Sequence, residues 1–136
     1  MHYDTTYRVS YGDTDQMGVV YYGNYLEFFE RARTEMLRSA GLPYAELERR
    51  GWFLMVIEAH CRYHAPAHYD DLLTFRSGVA EVSRVKIKIV TQVLREGVLL
   101  AGGYVILGSV DRDRRIARLD PEFVDICRRF TLEEKE

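Results

Sequence analysis

Two patterns, in a fixed order along the chain, restrict the folds open to it. Residues 24 to 40 place Tyr25, Phe28, Phe29, Ala32, Met36, Leu37 and Ala40 at spacings of three and four, the signature of one long amphipathic helix. From residue 52 onward the helical period gives way to long stretches of alternating apolar and polar residues, as in Val85, Ile87 and Ile89 against Lys86 and Lys88, which is strand patterning. A single helix bearing two Phe, a Met and a Leu needs a broad apolar surface, and only the strands can supply it. The chain therefore predicts an α+β domain with an antiparallel sheet curved around one central helix. With 136 residues, 47% of them hydrophobic, it is long enough for one domain with a real core, spanning 1–136.

The elements can be placed one by one. Tyr3, Thr5, Tyr7, Val9 and Tyr11 alternate as a first strand, and Gly12 to Gly18 form a loop. Asn24, with Glu27 three residues on, resembles a capping box, and Gly41 is a C-terminal stop. Pro43 suits the first turn of a short second helix ending near Gly51. Four strands follow, in "WFLMVIEAHCRYHA", "DDLLTFRSGVAEVS", "RVKIKIVTQVLRE" and "VLLAGGYVILGSVD", with a tight turn at Glu96-Gly97. "PEFVDICRRF" is a last short helix, and the tail from residue 131 to 136 is expected to fray.

The chemistry concentrates in "YGDTDQMGVVYYGNYLEFFERAR", residues 11–33. Asp13 and Asp15 sit in a glycine-flanked loop just ahead of the helix. A carboxylate can serve as nucleophile or general base. Orphan N–H groups at a helix start can hold a developing oxyanion. If the loop folds back, both would meet at one carbonyl. The plain alternative is that the two aspartates only close Asx-turns around the glycines.

That segment, followed by "YHAPAHYDDLLTF", closely resembles the 4-hydroxybenzoyl-CoA thioesterase family, and within it the acyl-CoA thioesterases associated with the Tol–Pal cell-envelope system. The likeness covers about residues 5 to 123 and rests on the run D-x-D-x-x-G-V-V with Asn-Tyr opening the helix. The resemblance implies a hotdog fold, a curved antiparallel sheet wrapped around one long helix. It implies dimers paired edge to edge, often tetramers, with active sites at the subunit interface. Carried over by position, it makes Asp15 the catalytic carboxylate and the Tyr22 backbone N–H the oxyanion donor, with Asp13 shaping the loop. Gly18 and Val19 of the motif go to substrate binding, and Arg84, where the family has a basic cluster after the third strand, to the coenzyme A phosphates. Where Tol–Pal relatives often carry a His, this chain has Tyr22 before Gly23, so no second acid–base residue is carried over.

Other constellations point away from chemistry. His60, His64 and His68 are four apart, but Pro66 breaks any helix through them, so no zinc site is read there. His64 is kept as a candidate lining the acyl pocket from the partner subunit. Cys61 and Cys127 form no CxxC pair and are expected as reduced thiols in a cytoplasmic protein. Net charge is −2, which offers no field for nucleic acid. No signal peptide and no stretch able to span a bilayer is read. There is no G-x-S-x-G elbow, phosphate loop or dinucleotide fingerprint. The sequence thus points to hydrolysis of an acyl-CoA thioester, with no metal or redox cofactor. The alternative is a non-catalytic acyl-thioester-binding or scaffold protein of the same fold.

Overall fold

The computed structural model describes residues 1–134. Five strands and three helices follow in the order β1 (Tyr3–Arg8), α1 (Asn24–Ser39), α2 (Tyr44–Arg49), β2 (Phe53–Tyr63), β3 (Leu72–Val82), β4 (Lys86–Arg95), β5 (Val98–Val110) and α3 (Pro121–Arg129). The strands form one sheet in the order β1-β3-β4-β5-β2, every neighbouring pair antiparallel. This is the expected α+β hotdog arrangement, with α1 seated against the sheet.

Strand alternation decides which side chains meet the helix. Leu73, Phe75, Val79, Ile87, Ile89, Val93, Val105 and Leu107 are all buried, and all belong to one core cluster with α1. Pairings such as Val79 with Ile89 and Ile89 with Val105 align them in rows across the sheet. From the helix side come Tyr25, Phe28, Phe29, Ala32, Met36 and Leu37. The Phe28 ring stacks on Phe75 at a centroid distance of 5.0 Å. Each fully buried large side chain is worth about 1.5–3 kcal/mol, so this face fixes the helix more firmly than its intrinsic propensity does.

Gly41 stops α1 as expected. It adopts φ 85°, and the two hydrogen bonds Leu42 N–H to Leu37 O and Gly41 N–H to Arg38 O close a Schellman turn. Gly103 in β5 meets a different constraint: a Cβ there would lie 1.8 Å from the His60 carbonyl oxygen of β2. Only glycine permits that approach of the two backbones.

Three local expectations are corrected. β1 ends at Arg8 rather than at residue 11, because the Asp13 carboxylate accepts the Ser10 N–H and bends Tyr11–Asp13 into a 3₁₀ turn. The Asn24–Glu27 capping box does not form. Gly23 holds the N-cap position, and the Asn24 amide reaches back to the loop instead. The tail does not fray over residues 131–134. Thr131 N–H donates to Met1 O, Leu132 N–H donates to Val79 O, and Glu134 pairs with Lys88 at 3.1 Å. Residues 135 and 136, the rest of that expected tail, lie outside the described residues.

Candidate active site

Residues 14 to 20 fold into a miniature hairpin. Thr14 bridges Val20, Asp15 N–H donates to Val19 O, and Gly18 N–H donates to Asp15 O. The return requires a left-handed residue, and Gly18 supplies it with φ 80°. The hairpin is tied to the approach of β3 by a Val19–His68 bridge and by Val20 N–H to Ala67 O. Loop, helix start and strand approach are thereby held as one unit.

Within this unit the two aspartates have different tasks. Asp13 Oδ2 accepts the Tyr7 hydroxyl at 2.6 Å and the Ser10 N–H at 2.9 Å. Its backbone oxygen accepts the Tyr21 N–H at 3.0 Å and the Asn24 Nδ2–H at 2.8 Å. With its groups committed to the fold, Asp13 shapes the loop. Asp15 accepts one bond at Oδ1, from the Met17 N–H at 2.9 Å, the Asx-turn that the sequence allowed. Its Oδ2 has no partner among the described residues. The carboxylate is therefore oriented by one oxygen and free at the other.

The start of α1 carries unclaimed donors. Asn24 N–H bonds Tyr21 O and Tyr25 N–H bonds Tyr22 O, but the N–H groups of Tyr22 and Gly23 have no acceptor among the described residues. The Tyr22 carbonyl is held by the Tyr63 hydroxyl at 2.9 Å, so the peptide carrying the Gly23 N–H is fixed in orientation. A Cβ at Gly23 would meet the exposed Tyr21 ring at 2.8 Å, so a larger residue there would displace that ring.

A groove of about 310 Å³ opens beside these donors, lined by Val19, Val20, Tyr22, Tyr25, Tyr63, His64, Ala65 and Pro66. Tyr25 and Tyr63 meet edge to face at 5.1 Å. Burial, followed by the hydrogen-bonding contact with Cys61, pushes the Tyr63 hydroxyl up to about 12, so it remains a donor across the physiological range. Tyr25 is likewise raised, first by burial.

Of the residues singled out in the sequence, Val19, Tyr22 and His64 line this groove within one chain, and Asp15 and Gly18 lie in the adjoining hairpin. His64 thus faces its own chain's groove rather than only a partner's. Arg84 is not brought there. It lies in the β3–β4 turn, bonded through its carbonyl to the Leu119 N–H, at the far end of an 11-residue strand, roughly 30 Å away. His60 stacks on Tyr104, and His68 lies beside Asp71. Among the described residues no three histidine, cysteine or acidic side chains gather as metal ligands. Tyr25, Tyr63 and the Asn24 side chain were not foreseen as site residues. For Tyr63, its place at the end of the β2 segment, next to His64, was the available signal.

Comparison with known proteins agrees with this fold. The profile of the thioesterase-like superfamily matches residues 9–127. The acyl-CoA thioesterase YbgC of Haemophilus influenzae is 37% identical over 105 residues, covering 76% of this chain and 77% of that protein. A putative esterase of Aquifex aeolicus is 35% identical over 94 residues, covering 69% and 73%. The crystal structure of a hypothetical protein from Thermus thermophilus superposes with a TM-score of 0.89 at 35% identity, covering 98% of this chain and all of that one (100%).

Proposed function

The chain belongs to the thioesterase-like superfamily, and from that premise we propose that it hydrolyses acyl-CoA thioesters, with water converting R–CO–S–CoA to the acid and free coenzyme A. Its likeness to an acyl-CoA thioesterase supports the substrate class. The observation that carries the mechanism is a carboxylate with one unengaged oxygen, Asp15, in the hairpin beside a helix start with two unengaged N–H groups. Asp15 either attacks the thioester carbonyl, giving a mixed anhydride that water then opens, or takes the proton from an attacking water. The Tyr22 N–H holds the carbonyl oxygen as it becomes negative. Coenzyme A departs as a thiolate, a good leaving group, so no strong general acid is needed. The acyl group rests against Val19, Tyr25, Tyr63 and His64.

The active form pairs two chains along β2. That edge strand has no outer partner among the described residues and exposes Met55, Val56 and Ile57, a combination that invites strand pairing. Two β2 edges related by a two-fold axis run antiparallel. The Tyr63 end of one then lies against the Phe53 end of the other, the end of the sheet at which Arg84 sits. Arg84 thus serves the coenzyme A phosphates of the partner's site, not of its own.

A hydrolysis screen over acyl-CoA chain lengths, run on the parent and on Asp15→Asn, tests the reading. Asparagine can keep the bond from Met17 N–H while removing the charge. It should lower kcat by at least about a hundredfold with little change in KM or Tm. An Asp15→Asn protein within a few-fold of the parent would refute the assignment. A parent that binds acyl-CoA but hydrolyses no chain length would make the binding-protein reading the correct one.

A further inference from the structure

Tyr63 crosses the groove with one hydrogen bond, and that bond falls on a peptide at the start of α1. Tyr63 is the last residue of β2. Its backbone is anchored to β5 by the pairing with Ala101 and by the next residue's bond, His64 N–H to Leu100 O at 2.8 Å. Its ring meets Tyr25 and Tyr22 edge to face, at centroid distances of 5.1 Å and 6.4 Å. From this seat the hydroxyl donates to Tyr22 O at 2.9 Å, across 41 residues of sequence. A second bond to that oxygen comes from within the helix, from Tyr25 N–H at 3.3 Å, which is long for an N–H···O bond.

The Tyr22 carbonyl and the Gly23 N–H belong to one planar peptide, so what turns the carbonyl turns the N–H with it. The preceding peptide, which carries the Tyr22 N–H, is held through its own carbonyl: Asn24 N–H donates to Tyr21 O at 2.9 Å. Both N–H groups lie in the first turn, where such groups point out of the helix end. A donor on a peptide carbonyl also polarises that peptide and strengthens its N–H as a donor in turn. Phenylalanine at position 63 would keep the ring contacts and lose both effects. The Tyr22 carbonyl would keep its bond from Tyr25 N–H, so no buried acceptor would be orphaned.

We propose that Tyr63 is a positioning residue whose hydroxyl aims the Gly23 N–H beside the Tyr22 N–H, so that two donors meet the thioester oxygen as it becomes negative. This rests on the reading that the start of α1 receives that oxygen. Tyr63 itself transfers no proton: its hydroxyl is committed to Tyr22 O and, raised first by burial to about 12, stays protonated.

Tyr63→Phe should lower kcat by about tenfold or more with KM and Tm little changed. The ratio of parent to variant kcat should stay constant from about pH 6 to about pH 9. A readout free of turnover is the infrared carbonyl band of a bound ketone analogue, an acyl-CoA with CH2 in place of the thioester sulfur and an isotope-labelled carbonyl. Donors lower the frequency of that band, so it should lie lower in the parent than in Tyr63→Phe. The proposal is overturned if the two kcat values agree within about twofold, or if the band is the same in both proteins. It is overturned equally if the loss of kcat comes with a matching rise in KM or fall in Tm, which would make the hydroxyl a support of the groove alone. A kcat ratio that changes with pH would make it an acid–base group and overturn it too. A parent that hydrolyses no acyl-CoA would sink the proposed function, while the band comparison would still decide for Tyr63.

Discussion

Asn24→Ala separates what holds the loop carrying Asp15 from what holds the fold. The Asn24 amide donates to the Asp13 carbonyl at 2.8 Å, across eleven residues of sequence. Losing it costs about 0.5–1.5 kcal/mol, offset by up to about 0.5 kcal/mol because alanine is the better helix former. The Asp13 oxygen keeps its bond from Tyr21 N–H, so no buried acceptor is orphaned. The net loss is at most about 1.5 kcal/mol, or about 4–8 °C in Tm for a domain of this size. Catalysis should suffer more. This bond ties the loop carrying Asp15 to the helix start carrying the Tyr22 and Gly23 donors, and a displacement of about 1 Å in such an arrangement can cost a hundredfold. Steady-state kinetics on an acyl-CoA substrate should show kcat down by about tenfold or more, with KM little changed. Asn24→Asp, which sets a carboxylate against the Asp13 carbonyl, should be less stable than Asn24→Ala. A kcat for Asn24→Ala within twofold of the parent would show that the loop holds its position without this bond, and the reasoning would fail.

Two further outcomes concern the assembly. Light scattering at micromolar concentration should give two or four times the 15.9 kDa chain mass; a value near one chain would remove the β2-paired site. Asp15→Asn and Arg84→Ala proteins, each impaired alone, should recover activity when unfolded and refolded together, because a mixed dimer contains one site with both native residues. Additive impairment with no recovery would place Arg84 outside the partner's site.

Much of the fold was legible because it is written in local periodicity. The strands expected in residues 52–65, 70–83, 84–96 and 98–111 appear at Phe53–Tyr63, Leu72–Val82, Lys86–Arg95 and Val98–Val110. The turn at Glu96-Gly97 has φ 51° and 81°, the left-handed pair that a tight hairpin demands. What escaped the reading depends on partners distant in sequence. Asn24 looked like a cap because its nearest candidate partner is Glu27, whereas its actual acceptor is the Asp13 carbonyl. The tail looked frayed because nothing within it reveals that Val79, some fifty residues earlier, offers it backbone bonds. At the site, the pairing of a loop carboxylate with a helix start was visible. The residues alone left the tasks of Asp13 and Asp15 open, and only the family resemblance assigned Asp13 to the loop; what engages it there, the Tyr7 hydroxyl and the Ser10 N–H, was not visible.

The strand order has a consequence for how the protein opens. β3, β4 and β5 form a meander joined by short turns, while β1 reaches β3 by pairing Tyr3 with Ser77, and β2 reaches β5 by pairing Phe53 with Val110. The meander closes locally, whereas the two edge strands must be gathered from far along the chain. The loop with Asp15, the start of α1, the end of β2 and the Ala65-Pro66 turn all lie outside the meander. The proposed site is therefore assembled from the parts outside the meander, and it should come apart while the middle of the sheet keeps its amide protons from exchanging. In mild denaturant, turnover should vanish before β4 loses its protection.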